Sequence, residues 1–244
     1  MSPFDIDIKN RLILFAGTTS FSYSLDTGVF TKIATHTDRV ASDLSYDWTS
    51  GNWYETIFGR KMILIMNYIY GQVISTTTRS STTLLRSTGT GAVNSVVLNP
   101  KQGLMYYLKS HNSSIMFLTK AWMDGSNVEY LHQTKYISML TIDVYGNILY
   151  FADEVGILSF DLNTNEIERI ITLGPRCNVM TLAVHNKTLY FSKFRDSYII
   201  YVHNLDSKGT SVFHQANAEV RHLRVFDSKS QIGNKVFNIL VMIL

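Results

Sequence analysis

A short β-type unit recurs along this chain and limits the folds available to it. The unit is clearest at residues 139–171, where apolar runs of strand length are separated by Gly, Asn and Asp. Residues 140–144 and 148–152 flank a turn at Tyr145-Gly146-Asn147. Apolar and polar residues then alternate from Leu158 to Leu162, as in a strand with one buried face. Four such strands form a sheet too small to bury its faces alone, so we expect several copies.

The other copies share a pair of residues seven positions apart. The pairs are Asp7 and Leu14, Asp47 and Tyr54, Asn99 and Tyr106, and Asp143 and Tyr150, with a shorter version at His185 and Tyr190. The second members of these pairs are separated by 40, 52, 44 and 40 residues. A repeat of this length with four strands is typical of β-propellers, whereas helical repeats of similar length show a 3.6-residue pattern. No such helical pattern is obvious here, and the sequence therefore predicts an all-β propeller.

The predicted propeller has five four-stranded blades and one additional strand at residues 223–226. Leu84-Leu85 lies where the second blade needs its fourth strand. We expect the repeat tyrosines to lie in second strands, with their rings packed between blades. The five blades are expected to start near Phe4, Leu44, Ser95, Leu140 and Met180.

Composition argues against several functional classes. At 244 residues the chain can form one large all-β domain, and its formal net charge of +3 is small. No run of Lys and Arg forms a nucleic-acid footprint. Cys177 is the one cysteine, so no disulfide can form within this chain, and we interpret its thiol as a loop or half-buried group rather than a nucleophile. Motifs such as His-Glu-x-x-His or a phosphate loop are missing, so we predict no catalytic residue, metal site or cofactor.

These repeats resemble the YWTD, or class B, repeat of the low-density lipoprotein receptor family over residues 4–230. A turn of the family's Leu-Asp-Gly-Ser-Asn type is matched by Met123-Asp124-Gly125-Ser126-Asn127. Only Asp153 retains the final Asp of the motif, and no Trp stands at its second position. The motif positions are taken by Tyr54-Glu55-Thr56-Ile57, Tyr106-Tyr107-Leu108-Lys109, Tyr150-Phe151-Ala152-Asp153 and Tyr190-Phe191-Ser192-Lys193, with Leu14-Phe15-Ala16-Gly17 barely recognisable.

The resemblance implies a six-bladed propeller followed by an EGF-like module. Residues 2–230 would then form a single domain that lacks most of its sixth blade, of which residues 223–226 supply the inner strand. An apolar tail at residues 231–244 stands where the EGF-like module is expected. We therefore expect a fragment with exposed strand edges that is stabilised by restoring about forty upstream residues. The start lacks the features of a signal peptide, and the apolar runs at 62–69 and 236–244 are too short for a membrane-spanning helix.

The resemblance also implies a function in binding proteins outside the cell. The expected role is a non-enzymatic, ligand-binding or module-packing part of a single-pass cell-surface receptor, of the endocytic lipoprotein or vitellogenin type or the Wnt co-receptor type. The expected partners are lipoprotein, vitellogenin, Wnt-pathway or matrix proteins and neighbouring EGF-like modules, with no nucleic acid. Two N-glycosylation sequons begin at Asn112 and Asn186, which suits a secreted chain.

Two alternatives remain open at this point. One is a nidogen-like matrix propeller. The other is a six-bladed hydrolase of the lactonase or strictosidine-synthase type, whose chemistry needs acidic and Asn residues converging on a metal. Near the starts of the inner strands the sequence offers Asn94, Ser138 and Asn178, with no matching Glu.

Overall fold

Antiparallel β-strands joined by turns account for the regular structure of the chain. The structure, a computed structural model, describes residues 3–35, 41–57, 62–67, 81–86, 92–112, 115–226 and 240–241, and these contain no helix. No helix long and apolar enough to cross a membrane occurs in that part of the chain. The chain divides into two compact units, Ser2–His132 and Gln133–Leu244.

The first unit contains three four-stranded sheets, each a meander in chain order, and the last strand of the third ends two residues past the unit's boundary. Sheet 1 consists of β1 Phe4–Asp7, β2 Leu12–Phe15, β3 Thr19–Ser24 and β4 Phe30–Thr35. Sheet 2 consists of β5 Ala41–Asp47, β6 Asn52–Ile57, β7 Met62–Asn67 and β8 Ser81–Arg86. Sheet 3 consists of β9 Val93–Asn99, β10 Leu104–Asn112, β11 Ile115–Trp122 and β12 Glu129–Thr134.

The second unit contains two further four-stranded meanders and one short strand pair. Sheet 4 consists of β13 Ser138–Asp143, β14 Ile148–Ala152, β15 Gly156–Asp161 and β16 Ile167–Thr172. Sheet 5 consists of β17 Val179–His185, β18 Thr188–Lys193, β19 Asp196–Asn204 and β20 Thr210–Gln215. The short pair consists of β21 Val225–Phe226 and β22 Leu240–Val241.

The repeated aspartates of the sequence close the first hairpin of their sheets. Asp7 Oδ1 accepts a hydrogen bond from the Asn10 amide at 3.0 Å, and Asp143 Oδ1 accepts from the amides of Tyr145 and Gly146, each at 3.0 Å. Asp47 accepts from the Thr49 amide at 2.9 Å. A carboxylate that holds turn amides in this way favours the turn over other local conformations. The seven-residue spacing therefore runs from the aspartate that caps the first turn to a buried residue in the second strand.

Sheet 5 closes its first hairpin by a different route. Only Asn186 and Lys187 separate β17 from β18, and their φ angles are +43° and +58°. Two consecutive residues with positive φ form the type I′ turn, which matches the twist of a hairpin and needs no carboxylate cap. This explains why the fifth repeat has the shorter spacing from His185 to Tyr190.

Polar side chains join the first strands of neighbouring sheets within each unit. Asp5 Oδ2 accepts from the Tyr46 amide at 2.8 Å, and Asp43 Oδ2 accepts from the Ser95 hydroxyl at 2.8 Å. In the second unit, Ser138 Oγ donates to the Val179 carbonyl at 3.2 Å. These bonds tie the inner strands together without strand pairing between the sheets.

The hydrophobic cores lie between the faces of successive sheets. In the first unit, Trp53 packs toward Leu14 of sheet 1, while its neighbour Tyr54 packs toward Val96 and Met105 of sheet 3. Because side chains alternate along a strand, β6 serves both interfaces. In the second unit, one core joins sheets 4 and 5, and another covers sheet 5 with the segment at residues 216–223.

Most expected strand positions are confirmed, with one correction near the end. The first strands start at Phe4, Ala41, Val93, Ser138 and Val179, within three residues of the expected positions. The additional strand is shorter than predicted, because Leu223 and Arg224 precede β21 rather than belong to it. The Leu223 amide instead donates to Thr181 Oγ1 at 2.8 Å. This bond holds the chain beside β17 just before β21 pairs with β22. Apart from β22, the tail at 231–244 lies outside the described residues.

Candidate protein-interaction surface

The tyrosines at the first motif position occupy the second strands of their sheets, where they are buried. Tyr54, Tyr106, Tyr150 and Tyr190 are 2%, 1%, 3% and 6% exposed. Tyr54 Oη donates to the Met123 carbonyl at 3.0 Å, which links sheets 2 and 3. Burial raises the pKa of Tyr106 and of Tyr150 to about 12, so these hydroxyls keep their protons at physiological pH. These rings are packing groups with a polar tip.

The residues at the second motif position face the opposite way. Tyr107 packs in the core between sheets 2 and 3, and Phe191 packs in the core between sheets 4 and 5. Phe151 is also buried, at 1% exposure. Burial raises the pKa of the Tyr107 hydroxyl well above its ordinary value. The aromatic pair therefore fills the space on both faces of the second strand.

The turn at Asp124-Gly125-Ser126-Asn127 connects β11 to β12 and is exposed. Asp124 Oδ1 accepts from the amide and the hydroxyl of Ser126, at 2.8 and 2.6 Å, and these hydrogen bonds lower the pKa of the carboxyl. Gly125 and Asn127 have φ angles of +85° and +54°, a region that Gly and Asn tolerate best. Local geometry thus accounts for this sequence.

The two sequons differ in how much of them is described. Asn186 is exposed at the tip of the first hairpin of sheet 5. Asn112 ends β10, and the remainder of its sequon, residues 113–114, lies outside the described residues. Asn186 is therefore accessible to a modifying enzyme by its position.

Turns and linkers from sheets 4 and 5 meet at one end of these sheets, opposite the first hairpins. We call this the crossover surface. Leu173 donates its amide to the Val155 carbonyl at 2.8 Å, and Phe194 donates to the Asn178 carbonyl at 2.9 Å. Val220 donates to the Ser197 carbonyl at 2.6 Å. The surface comprises the segments 153–156, 173–178, 194–198 and 216–221.

Asp153 braces the sheet 4 side of the crossover surface. Its Oδ1 accepts from the amides of Val155 and Gly156, each at 2.8 Å, and both carboxylate oxygens accept from Arg169, at 3.0 and 2.6 Å. Burial raises the pKa of Asp153, but the hydrogen bonds from Arg169 and the two amides outweigh it, so the pKa lies below its ordinary value. Asp153 therefore stays ionised and fixes the turn.

Cys177 lies under this surface and is 8% exposed. Its Sγ lies 3.7 Å from the Asp153 carbonyl oxygen. Burial, followed by the negative charge of Asp153, raises the pKa of the thiol. A protonated, buried thiol is a poor nucleophile, and Cys177 is more buried than the half-buried group expected from the sequence.

Lys193 and Asp196 brace the sheet 5 side in a similar way. Lys193 Nζ lies 2.8 Å from Asp196 Oδ2 and 4.2 Å from the centre of the Tyr201 ring. The Tyr201 hydroxyl donates to the same carboxylate at 2.9 Å. Below the adjacent linker, Ser192 Oγ donates to the Val220 carbonyl at 2.7 Å. The loops above these contacts are thus held by side chains as well as by backbone bonds.

Large apolar and charged side chains project from this braced surface. Phe194 is 66% exposed, Tyr198 50% and Val155 36%, and the neighbouring Glu154, Arg176 and Arg195 are also exposed. Exposed aromatic side chains beside arginines are enriched at protein interfaces. The sequence predicted protein binding without indicating these residues. The one indication of this surface in the sequence was an aromatic residue, Phe194, in the two-residue turn between β18 and β19.

The residues considered for a hydrolase have other roles or remain unassigned. Ser138 makes the inter-strand hydrogen bond described above, and Asn178 accepts the Phe194 amide through its carbonyl and has an exposed side chain. Asn94 is half-buried in β9. Within the described ranges, no three His, Cys, Asp or Glu side chains converge in a way that could hold a metal ion.

Comparison with solved structures places the chain in a known architecture, although no family model matches it. The nidogen chain of a nidogen/laminin complex superposes with a TM-score of 0.73 at 16% identity, covering 87% of this chain and 79% of that chain. A luciferin-regenerating enzyme gives 0.67 at 11% identity, covering 91% and 78%. A protein of unknown function from Bacteroides thetaiotaomicron gives 0.67 at 11% identity, covering 90% and 62%. The chain thus has the β-propeller fold of its nidogen neighbour.

Proposed function

We propose that this chain is an extracellular propeller that binds a protein partner through the crossover surface. The proposal is carried by exposed Phe194, Glu154, Arg176 and Arg195 on loops, together with exposed Tyr198 near the start of β19. Ion pairs hold the loops on both sides of this surface in place. Preorganised loops lose less entropy on binding, and aromatic anchors supply much of the binding energy. Functional loops on a rigid scaffold are a common arrangement.

Two classes of partner fit this proposal. The YWTD resemblance favours a lipoprotein, vitellogenin or Wnt-pathway ligand, in a cell-surface receptor with EGF-like neighbours. The nidogen neighbour, which was solved with laminin, favours a matrix partner instead. Both classes require an extracellular protein, which also suits the exposed sequon at Asn186.

The test is a binding measurement with purified probes. The full chain is secreted, immobilised and exposed in turn to laminin, to low-density lipoprotein and to vitellogenin. We expect saturable binding to one probe, and we expect Phe194→Ala to weaken it at least about tenfold, the loss typical of a hot-spot aromatic. Tyr145→Ala is the matched control, because Tyr145 is 62% exposed at the opposite end of sheet 4.

The probe that binds decides between the two classes. Binding of laminin supports a matrix role, and binding of either lipid-carrying probe supports a receptor of the lipoprotein or vitellogenin type. Equal losses in the two variants would contradict the crossover surface as the site. Because one structural neighbour is an enzyme, the hydrolase considered from the sequence is kept as a second candidate. Calcium-dependent hydrolysis of a lactone by a chain that binds none of the probes would support that candidate instead.

A further inference from the structure

The outer strand of sheet 5 is exposed along its whole length. All six residues of β20 are exposed, with Val212 at 58% and Phe213 at 49%. In the described part of the chain, β20 pairs only with β19. An outer strand presents unpaired N–H and C=O groups on its free side, and these can pair with another strand.

The composition of β20 sets it apart from the other outer strands. Charged residues on an outer strand prevent unwanted pairing, because a partner strand would bury or face the charge. One-residue register shifts occur in β4, β8 and β16 as well as in β20. Such a shift therefore does not set β20 apart from the other outer strands. The charges are Lys32 in β4, Arg86 in β8, Glu129 in β12, and Glu168 and Arg169 in β16, whereas β20 reads Thr-Ser-Val-Phe-His-Gln.

We propose that β20 is a self-association edge, which pairs antiparallel with β20 of a second copy of this chain. A two-fold axis beside Val212 would place the two Val212 side chains opposite each other, and β-branched pairs of this kind pack well across strands. Pairing about this axis matches residues 210–214 of one copy with residues 210–214 of the other, which gives about four to six backbone hydrogen bonds. This inference does not depend on the proposed ligand-binding function.

A second copy is the occupant that the sequence of β20 suits best. In a symmetric pair both strands carry the same charges, and a charge at or beside the two-fold axis would lie close to a like charge. β20 carries no Asp, Glu, Lys or Arg and avoids that repulsion. A two-fold pair also closes on itself, since each copy uses its free edge once. A different protein segment would usually be selected by charges complementary to its own, and β20 offers no Asp, Glu, Lys or Arg for that purpose.

The experiment measures the mass of the full chain in solution by sedimentation equilibrium over a concentration series. We expect a monomer–dimer equilibrium for the natural sequence. Val212→Lys is expected to weaken dimerisation by about tenfold or more, because it places two ammonium groups opposite each other. Ile167→Lys is the matched control, since Ile167 is 38% exposed on the outer strand β16, and it should dimerise normally.

A charge-swap mixture makes the test specific for two-fold pairing. Val212→Lys and Val212→Glu chains should each be monomeric, and their equimolar mixture should dimerise. Thermal melting of both variants close to that of the natural sequence would confirm that they fold, because Val212 is exposed. A natural chain that stays monomeric, a lysine variant that still dimerises, or open-ended aggregates that the substitution leaves unchanged would each overturn the proposal.

Discussion

At the scale of single residues, Gly156 shows how closely two strands of sheet 4 approach. A Cβ atom at this position would lie 1.8 Å from the carbonyl oxygen of Ile171, so a side chain would force the main chain apart. We expect Gly156→Ala to lower the free energy of unfolding by about 3 kcal/mol, the upper end for ordinary substitutions, because the overlap is with main-chain atoms and no side-chain movement relieves it. Urea denaturation measures this loss.

The control for this substitution is Gly209→Ala. A Cβ atom at Gly209 would lie 3.7 Å from Ser207 Oγ, an ordinary contact. Its unfolding free energy should change by less than about 1 kcal/mol in either direction. If Gly156→Ala and this control had the same urea midpoint, β15 and β16 would not approach each other as closely as described here.

His203 predicts how stability depends on pH. It is 3% exposed, and its Nδ1 lies 2.8 Å from Thr210 Oγ1. Burial lowers the pKa of His203, so the unfolded chain binds a proton at this site before the folded chain does. Stability should therefore fall as the pH drops below about 6.5, the ordinary histidine value.

Replacing this imidazole should flatten the pH profile. Melting of the natural chain and of His203→Leu is compared between pH 7.5 and 5.5. The slope for one proton is at most about 1.4 kcal/mol per pH unit, and the variant should lose part of it. Burial lowers the pKa of His132 too, so some slope should remain. Parallel profiles for the two proteins would show that His203 is not the responsible group.

At the scale of elements, Asp153 and Arg169 contribute unequally to the turn between β14 and β15. Arg169→Met should cost about 1 kcal/mol or less, because its side chain is 35% exposed and water screens the ion pair. Asp153→Ala should cost about 2–3 kcal/mol, since it also leaves two amides without their acceptor. Urea denaturation of both variants tests the order, and a larger loss for the arginine variant would contradict it.

The hairpin between β17 and β18 offers a stabilising substitution. Lys187 has a φ angle of +58°, which costs a residue with a side chain more than it costs glycine. Lys187→Gly creates the Asn-Gly sequence that type I′ turns favour and should stabilise sheet 5 by about 0.5 kcal/mol. Its exposed ion pair with Asp206 contributes little. A clear drop in the melting temperature would indicate a different turn.

Turn chemistry was less visible in the sequence than strand position. The aspartates at positions 7, 47 and 143 were recognised by their spacing, but their role as caps depends on which amides the folded turn presents. The strand expected at 223–226 was too long, because Leu223 packs against sheet 5 without pairing. An apolar run indicates burial, and burial is common to strands and to packed linkers.

At the scale of the whole molecule, the sequence period was sufficient to predict an all-β propeller with four-stranded units. Repeats near forty residues leave few alternatives, and β-strand periodicity removes the helical ones. The crossover surface could not be predicted in the same detail. It forms where residues 153–156, 173–178, 194–198 and 216–221 come together, and these segments follow no common motif. Sites built from loops depend on tertiary contacts that a local pattern does not encode.

The central claim is that the crossover surface binds a protein partner, and site-specific photo-crosslinking tests it most directly. A photoreactive phenylalanine analogue replaces Phe194 in one version of the secreted chain and Tyr145 in another, and each is irradiated with the probe that binds. Both positions are exposed and lie at opposite ends of the second unit's sheets. We predict a crosslinked partner from position 194 and none from position 145. A partner captured from position 145 and not from position 194 would contradict the account.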